Sequence, residues 1–124
     1  MLCGDKIPIL CNQENFLLKG NSYQIRKALP DSHIFFKSAL KENQNYGRPK
    51  GGMFIAVPTC LMERFTEIST SFWRVQAVTF KTDDNLILIL NIYFPTDPQT
   101  LRFDDEELNE TYAAINDILK EGQL

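Results

Sequence analysis

Several side chains capable of chemistry stand where apolar runs give way to polar residues. Glu14 follows the run Ile7-Pro8-Ile9-Leu10-Cys11 and the polar Asn12-Gln13, so it leaves a buried strand as the chain enters a loop. Asn12 shares its face if that strand stays extended. Asn91 and Tyr93 project to the same side as Ile87 and Ile89, so one face of an otherwise apolar strand turns polar at its end. A carboxylate in such a place can ligate a hard cation, and an amide or phenol can hydrogen-bond an anionic oxygen. Each also has an ordinary reading. A glutamate after a strand is usually a solvated loop acid, and a tyrosine there is more often a core residue with its hydroxyl at the sheet rim.

Other groups carry less. Lys37, Lys41, Arg48 and Lys50 end a basic N-terminal half and could bind phosphate around a loop, although a solvated surface explains them better. Residues 1–50 carry a net +4 (eight cations against four anions) and residues 51–124 a net −7 (five against twelve), summing to −3. Bulk electrostatics therefore do not draw the whole chain to nucleic acid. Asp104, Asp105, Glu106 and Glu107 lie in the first turn of a helix, where negative charge complements the helix dipole; four adjacent carboxylates there point apart and do not converge on one ion. His33, inside an apolar strand, reads as a structural histidine. Cys3, Cys11 and Cys60 are odd in number and have no C-x-x-C spacing, so neither a disulfide framework nor a zinc ribbon is expected.

The elements that must position these groups follow from hydrophobic period and turn residues. Strands are expected over residues 7–11, 32–36 and 53–57, with a weaker one over 65–69 and firmer ones over 73–80 and 86–94. Asn21 is the expected N-cap of a short helix that Pro30 stops. Residues 41–50 form a loop rich in Asn, Gly and Pro. Thr82-Asp83-Asp84-Asn85 turns the last two strands into a hairpin. Residues 86–90, apolar on both faces, are expected to be a central strand. Leu108, Tyr112, Ile115 and Leu119 recur at i, i+4, i+7 and i+11 and define the apolar stripe of a final helix capped by Gly122. Gly51 and Gly52 are expected to permit close backbone packing or a bulge.

An apolar share of 44% with 23% charged residues suits one folded α/β domain spanning 1–124. The apolar runs fall well short of the roughly 18 residues a membrane span needs, and an acid at Asp5 comes too early for a signal peptide. The expected location is cytosolic or nuclear.

In order along the chain, Ile9-Leu10-Cys11-Asn12-Gln13-Glu14, Gly47-Arg48-Pro49-Lys50-Gly51-Gly52-Met53 and Asn91-Ile92-Tyr93-Phe94-Pro95-Thr96-Asp97 resemble motifs of the endonuclease/exonuclease/phosphatase superfamily. The match is nearest to the endonuclease domain of non-long-terminal-repeat retrotransposons and runs from about Ile7 to Leu119. It implies a partial α/β sandwich, with one mixed β-sheet, flanking helices and the second sheet missing. It further implies Mg2+ or Mn2+ as cofactor and DNA as partner. Glu14 is then the metal ligand and Tyr93 the phenol on the scissile phosphate, both converging on one cation and its bound ester. Asn91, Arg48 and Lys50 are further candidates for contact with phosphate or nucleic acid.

Members of that family also carry a strand with a catalytic asparagine, a Gly-Asp-x-Asn motif and an Asp-His pair, none of which occurs in these 124 residues. The expectation is therefore a truncated, N-terminal part of a DNA-nicking phosphodiesterase that is inactive or very weak alone. The alternatives are a phosphatase of the same superfamily, or a non-catalytic module that self-associates through an uncovered apolar sheet face.

Overall fold

The computed structural model describes residues 8–40, 50–70, 72–94 and 105–121. They form a mixed α/β architecture with two small antiparallel sheets. The first sheet has the order β1-β3-β2, from β1 (Leu10–Gln13), β2 (Ser32–Leu40) and β3 (Lys50–Pro58). The second has the order β4-β5-β6, from β4 (Phe65–Ile68), β5 (Val75–Lys81) and β6 (Leu86–Ile92). Two helices complete it, α1 (Tyr23–Ala28) and α2 (Asp105–Glu121), with short 3-10 turns at Lys19–Asn21 and Thr59–Arg64.

Side-chain alternation along the two central strands explains the layering. On β3, Ile55 and Val57 point inward and pack with Phe65, Val78 and Phe80 of the second sheet, while Phe54 and Ala56 point outward and pack with Ile25 of α1 and Ile34. On β5, Val78 and Phe80 face the first sheet, and Val75 and Ala77 face Ile118 of α2. The order of layers is thus helix, sheet, sheet, helix, and both central strands are covered on both faces.

Several expectations are corrected. The chain supplies a second sheet, so the inner face of the first is covered and the apolar face expected to drive self-association is buried in the sandwich. Among the described residues every strand pairing is antiparallel, so neither sheet is mixed. Strand β6 is an edge strand among the described residues. Its two apolar faces reflect what lies above and below it, with Leu88, Leu90 and Ile92 toward α2 and Ile89 toward the inner core, and say nothing about lateral neighbours. Strand β1 starts three residues later than its apolar run, and β2 extends four residues beyond its expected end. Ser22, not Asn21, is the N-cap of α1.

Helix α2 buries Thr111 and Ile118, with Ala114 and Ile115 partly covered, whereas Tyr112 and Leu119 are 52% and 49% exposed. The buried stripe is therefore offset by one position from the one read off the sequence. Thr111 is fully buried although polar, so a stripe drawn from apolar residues alone misses it. Cys60 is disulfide-bonded and Cys11 free, a pairing that spacing did not indicate. Among the described residues no helix is long and apolar enough to cross a membrane. The expected loop at 41–49, the Pro95-Thr96-Asp97 end of the third motif and the Gly122 cap lie outside the described residues.

Candidate functional site

Strand β1 ends at Gln13, and the next residues leave it in left-handed backbone, with φ of 54° at Glu14 and 58° at Phe16. L-residues adopt this region at a cost of about 1 kcal/mol or more each, so surrounding bonds must hold them there. Asn15 N donates to Gly52 O (3.1 Å) and Phe16 N to Gly51 O (3.0 Å). Asn15 Oδ1 accepts from Leu17 N, and its amide donates to Asn12 Oδ1. The glycine pair is what admits this loop. A Cβ at Gly52, whose φ is +86°, would stand 2.2 Å from Asn15 Oδ1 and 3.0 Å from Phe16 N. The glycine-rich segment noted in the sequence thus seats the loop that carries Glu14, an exposed residue.

At the same end of the sandwich, β6 delivers Tyr93. Asn91, only 3% exposed, ties the two strand ends together. Its Nδ2 donates to Asn12 O (3.0 Å) and Phe54 O (3.3 Å), both in the first sheet, and its Oδ1 accepts from Gln13 Nε2 (3.0 Å). Gln13 Nε2 also donates to Ile92 O. These bonds join the residues immediately before Glu14 to those immediately before Tyr93. The Glu14 carboxylate and the Tyr93 phenol thereby come within reach of a side-chain bond. That bond to the carboxylate, then burial and repulsion by the Glu14 charge, hold the Tyr93 phenol above its ordinary pKa, while the Arg74 guanidinium pulls the other way. A phenol so perturbed stays protonated at neutral pH and remains a hydrogen-bond donor.

The structure therefore brings Glu14 and Tyr93 together. Asn91 sits beneath them with its amide engaged inside the protein, so it fixes their relation and does not face a ligand. Arg48 and the side chain of Lys50 lie outside the described residues. Lys37, grouped with them by sequence, instead points between the sheets, where Nζ donates to Thr70 O (2.8 Å) and Oγ1 (2.9 Å). Burial lowers its pKa, with Glu67 opposing. His33 pairs with Val57, at the far end of β3 from Gly51, and its ring meets Phe35 edge-on. Two clefts, of about 490 and 250 Å³, open along β2 beside Glu67, and neither is lined by Glu14 or Tyr93.

Two residues escaped the sequence reading. Trp73 and Arg74 precede β5; the guanidinium carbon of Arg74 lies 4.0 Å from the Trp73 ring centroid and 4.9 Å from that of Tyr93. An aromatic-cation pair before a strand is the only local signal, and it is a common one. Among the described residues no group of three or more His, Cys, Asp or Glu could hold a metal ion. A lone exposed carboxylate still fits Mg2+ or Mn2+ bound largely by water and substrate phosphate, since Mg2+ often takes only one or two protein carboxylates. No family model matches the sequence, and no curated protein or solved structure resembles it significantly.

Proposed function

We propose that this chain is part of a metal-dependent phosphodiesterase of the retrotransposon endonuclease type, whose reaction is hydrolytic nicking of DNA. The observation that supports this reading is that Glu14 and Tyr93, which follow strands of two different sheets, come near enough for their side chains to interact. Phosphodiester hydrolysis adds charge to oxygens that are already anionic, so a site needs a cation and donors aimed at them. Glu14 would hold Mg2+ or Mn2+, which when bound supplies Lewis-acid polarisation of a phosphoryl oxygen. Tyr93, protonated at neutral pH, would turn its single O–H from Glu14 to a non-bridging oxygen when the ester binds. Gln13 and Asn91 keep the two groups in register. The described residues supply neither a general base nor a leaving-group acid at this site, so the chain alone binds cation and ester but turns over slowly.

The test follows the fluorescence of Trp73, the sole tryptophan, during Mn2+ titration. Saturable binding that weakens about tenfold or more in Glu14→Gln supports the reading, and identical titrations of the two proteins refute it. Robust plasmid nicking by the chain alone would refute the claim of slow turnover. Both groups act on phosphoryl oxygens and not on the leaving group, so the same pair also suits a phosphomonoesterase. Competition between a DNA duplex and glycerol phosphate for the Mn2+-loaded protein separates these readings.

A further inference from the structure

We infer that Arg74 is the positioning residue that aims the Tyr93 phenol at Glu14; the inference deepens the proposed site and rests on its geometry. Tyr93 lies one residue beyond the last pair of the β5–β6 ladder, Val75 with Ile92, where a strand end would ordinarily fray. Arg74 extends that ladder by one step and then closes it. Its carbonyl accepts from Tyr93 N (2.8 Å), and its Nη1 donates to Tyr93 O (3.3 Å), so one residue holds both main-chain polar groups of Tyr93.

The side chain completes the arrangement. Arg74 is 7% exposed, and its guanidinium lies against both the Trp73 indole and the Tyr93 phenol, whose ring centroids are 6.3 Å apart. The indole in turn rests against Gly51, where a Cβ would come within 2.7 Å of Trp73 Cε3. Gly51 O is the acceptor that fixes Phe16, two residues past Glu14. A continuous stack thus runs from the loop of Glu14 through Gly51, Trp73 and Arg74 to Tyr93. Planarity matters here, because a flat guanidinium can lie against two rings while its fork reaches a carbonyl, and an ammonium cannot. Arg74 acts through Tyr93, against whose ring and main chain it is held.

The test compares the native chain with Arg74→Lys and Arg74→Met by NMR, reading the nuclear Overhauser contact between the Tyr93 ring and the Glu14 side chain. The expected result is loss of that contact in both variants, including Arg74→Lys with its charge retained, while amide contacts across Thr79–Leu88 and Phe80–Ile87 persist. In parallel, Tyr93→Phe should weaken Mn2+ binding severalfold in the native background and hardly at all beside Arg74→Lys. Persistence of the ring contact in Arg74→Lys overturns the inference, and so does loss of the whole native amide spectrum in both variants, which would make Arg74 a residue of the fold. If the native chain binds no Mn2+, the proposed function fails while the ring contact still reports on Arg74.

Discussion

Replacing Asn91 by leucine is the sharpest test of how the site is assembled. The two side chains have the same number of heavy atoms and the same branching, so the substitution removes hydrogen bonds without opening a cavity. Two of the bonds are of good length, to Asn12 O and from Gln13 Nε2, both 3.0 Å; those to Phe54 O and Gln76 Oε1, at 3.3 and 3.4 Å, are weaker. At about 1 kcal/mol net for each good bond, plus about 1 kcal/mol for a buried carbonyl left without its donor, Asn91→Leu should destabilise the chain by roughly 2–4 kcal/mol. Apolar gain at a position that is 3% exposed offsets part of this, placing the expectation near the lower end. Urea unfolding gives the magnitude, and an unchanged slope shows that the same surface is exposed on unfolding. The variant should also lose Glu14-dependent Mn2+ binding at urea concentrations where it remains folded. A loss of less than about 0.5 kcal/mol, or full Mn2+ affinity in the folded variant, would refute the argument that Asn91 sets the register of the two strand ends.

Gly52→Ala should cost about 2 kcal/mol or more, because the backbone is at φ +86° and the new Cβ would meet the Asn15 loop; the same unfolding assay should show it, along with weakened Mn2+ binding. Ile118→Ala should destabilise by roughly 2–4 kcal/mol and Leu119→Ala by less than about 1, and the reverse order in thermal unfolding would put the buried face of α2 elsewhere. The Tyr93 phenol should titrate above the ordinary 10.0, and Glu14→Gln, which removes the largest cause, should lower its midpoint in a pH series of its ring-carbon NMR shift. Because the native pKa is the raised one, the stability it contributes is whole below about pH 10 and is lost as pH climbs through the native value, so a midpoint at or below 10.0 would refute the proposed contact.

Local pattern carried part of this outcome. The turn Thr82-Asp83-Asp84-Asn85 between two β-prone runs predicts the β5–β6 hairpin, and Thr82 and Asn85 close it with mutual hydrogen bonds. Period alone cannot say which strands share a sheet. Phe65 and Val78 pack on Ile55 across the sandwich, a relation between residues far apart in sequence. The carboxylate and phenol were legible as types at strand ends, whereas their meeting depends on Gln13 and Asn91, which look like any polar pair. Arg74 was invisible because its role depends on stacking between two rings brought together only by the fold.

The bond from Gln13 to Asn91 closes a loop spanning 78 positions along the chain. A closure of that length must follow the local β5–β6 hairpin, since the chain entropy it removes is recovered only after both sheets have docked. The carboxylate and phenol are therefore latecomers in folding. Any solute captured between them would act as a rivet, slowing separation of the two halves while leaving the hairpin's own fluctuations untouched.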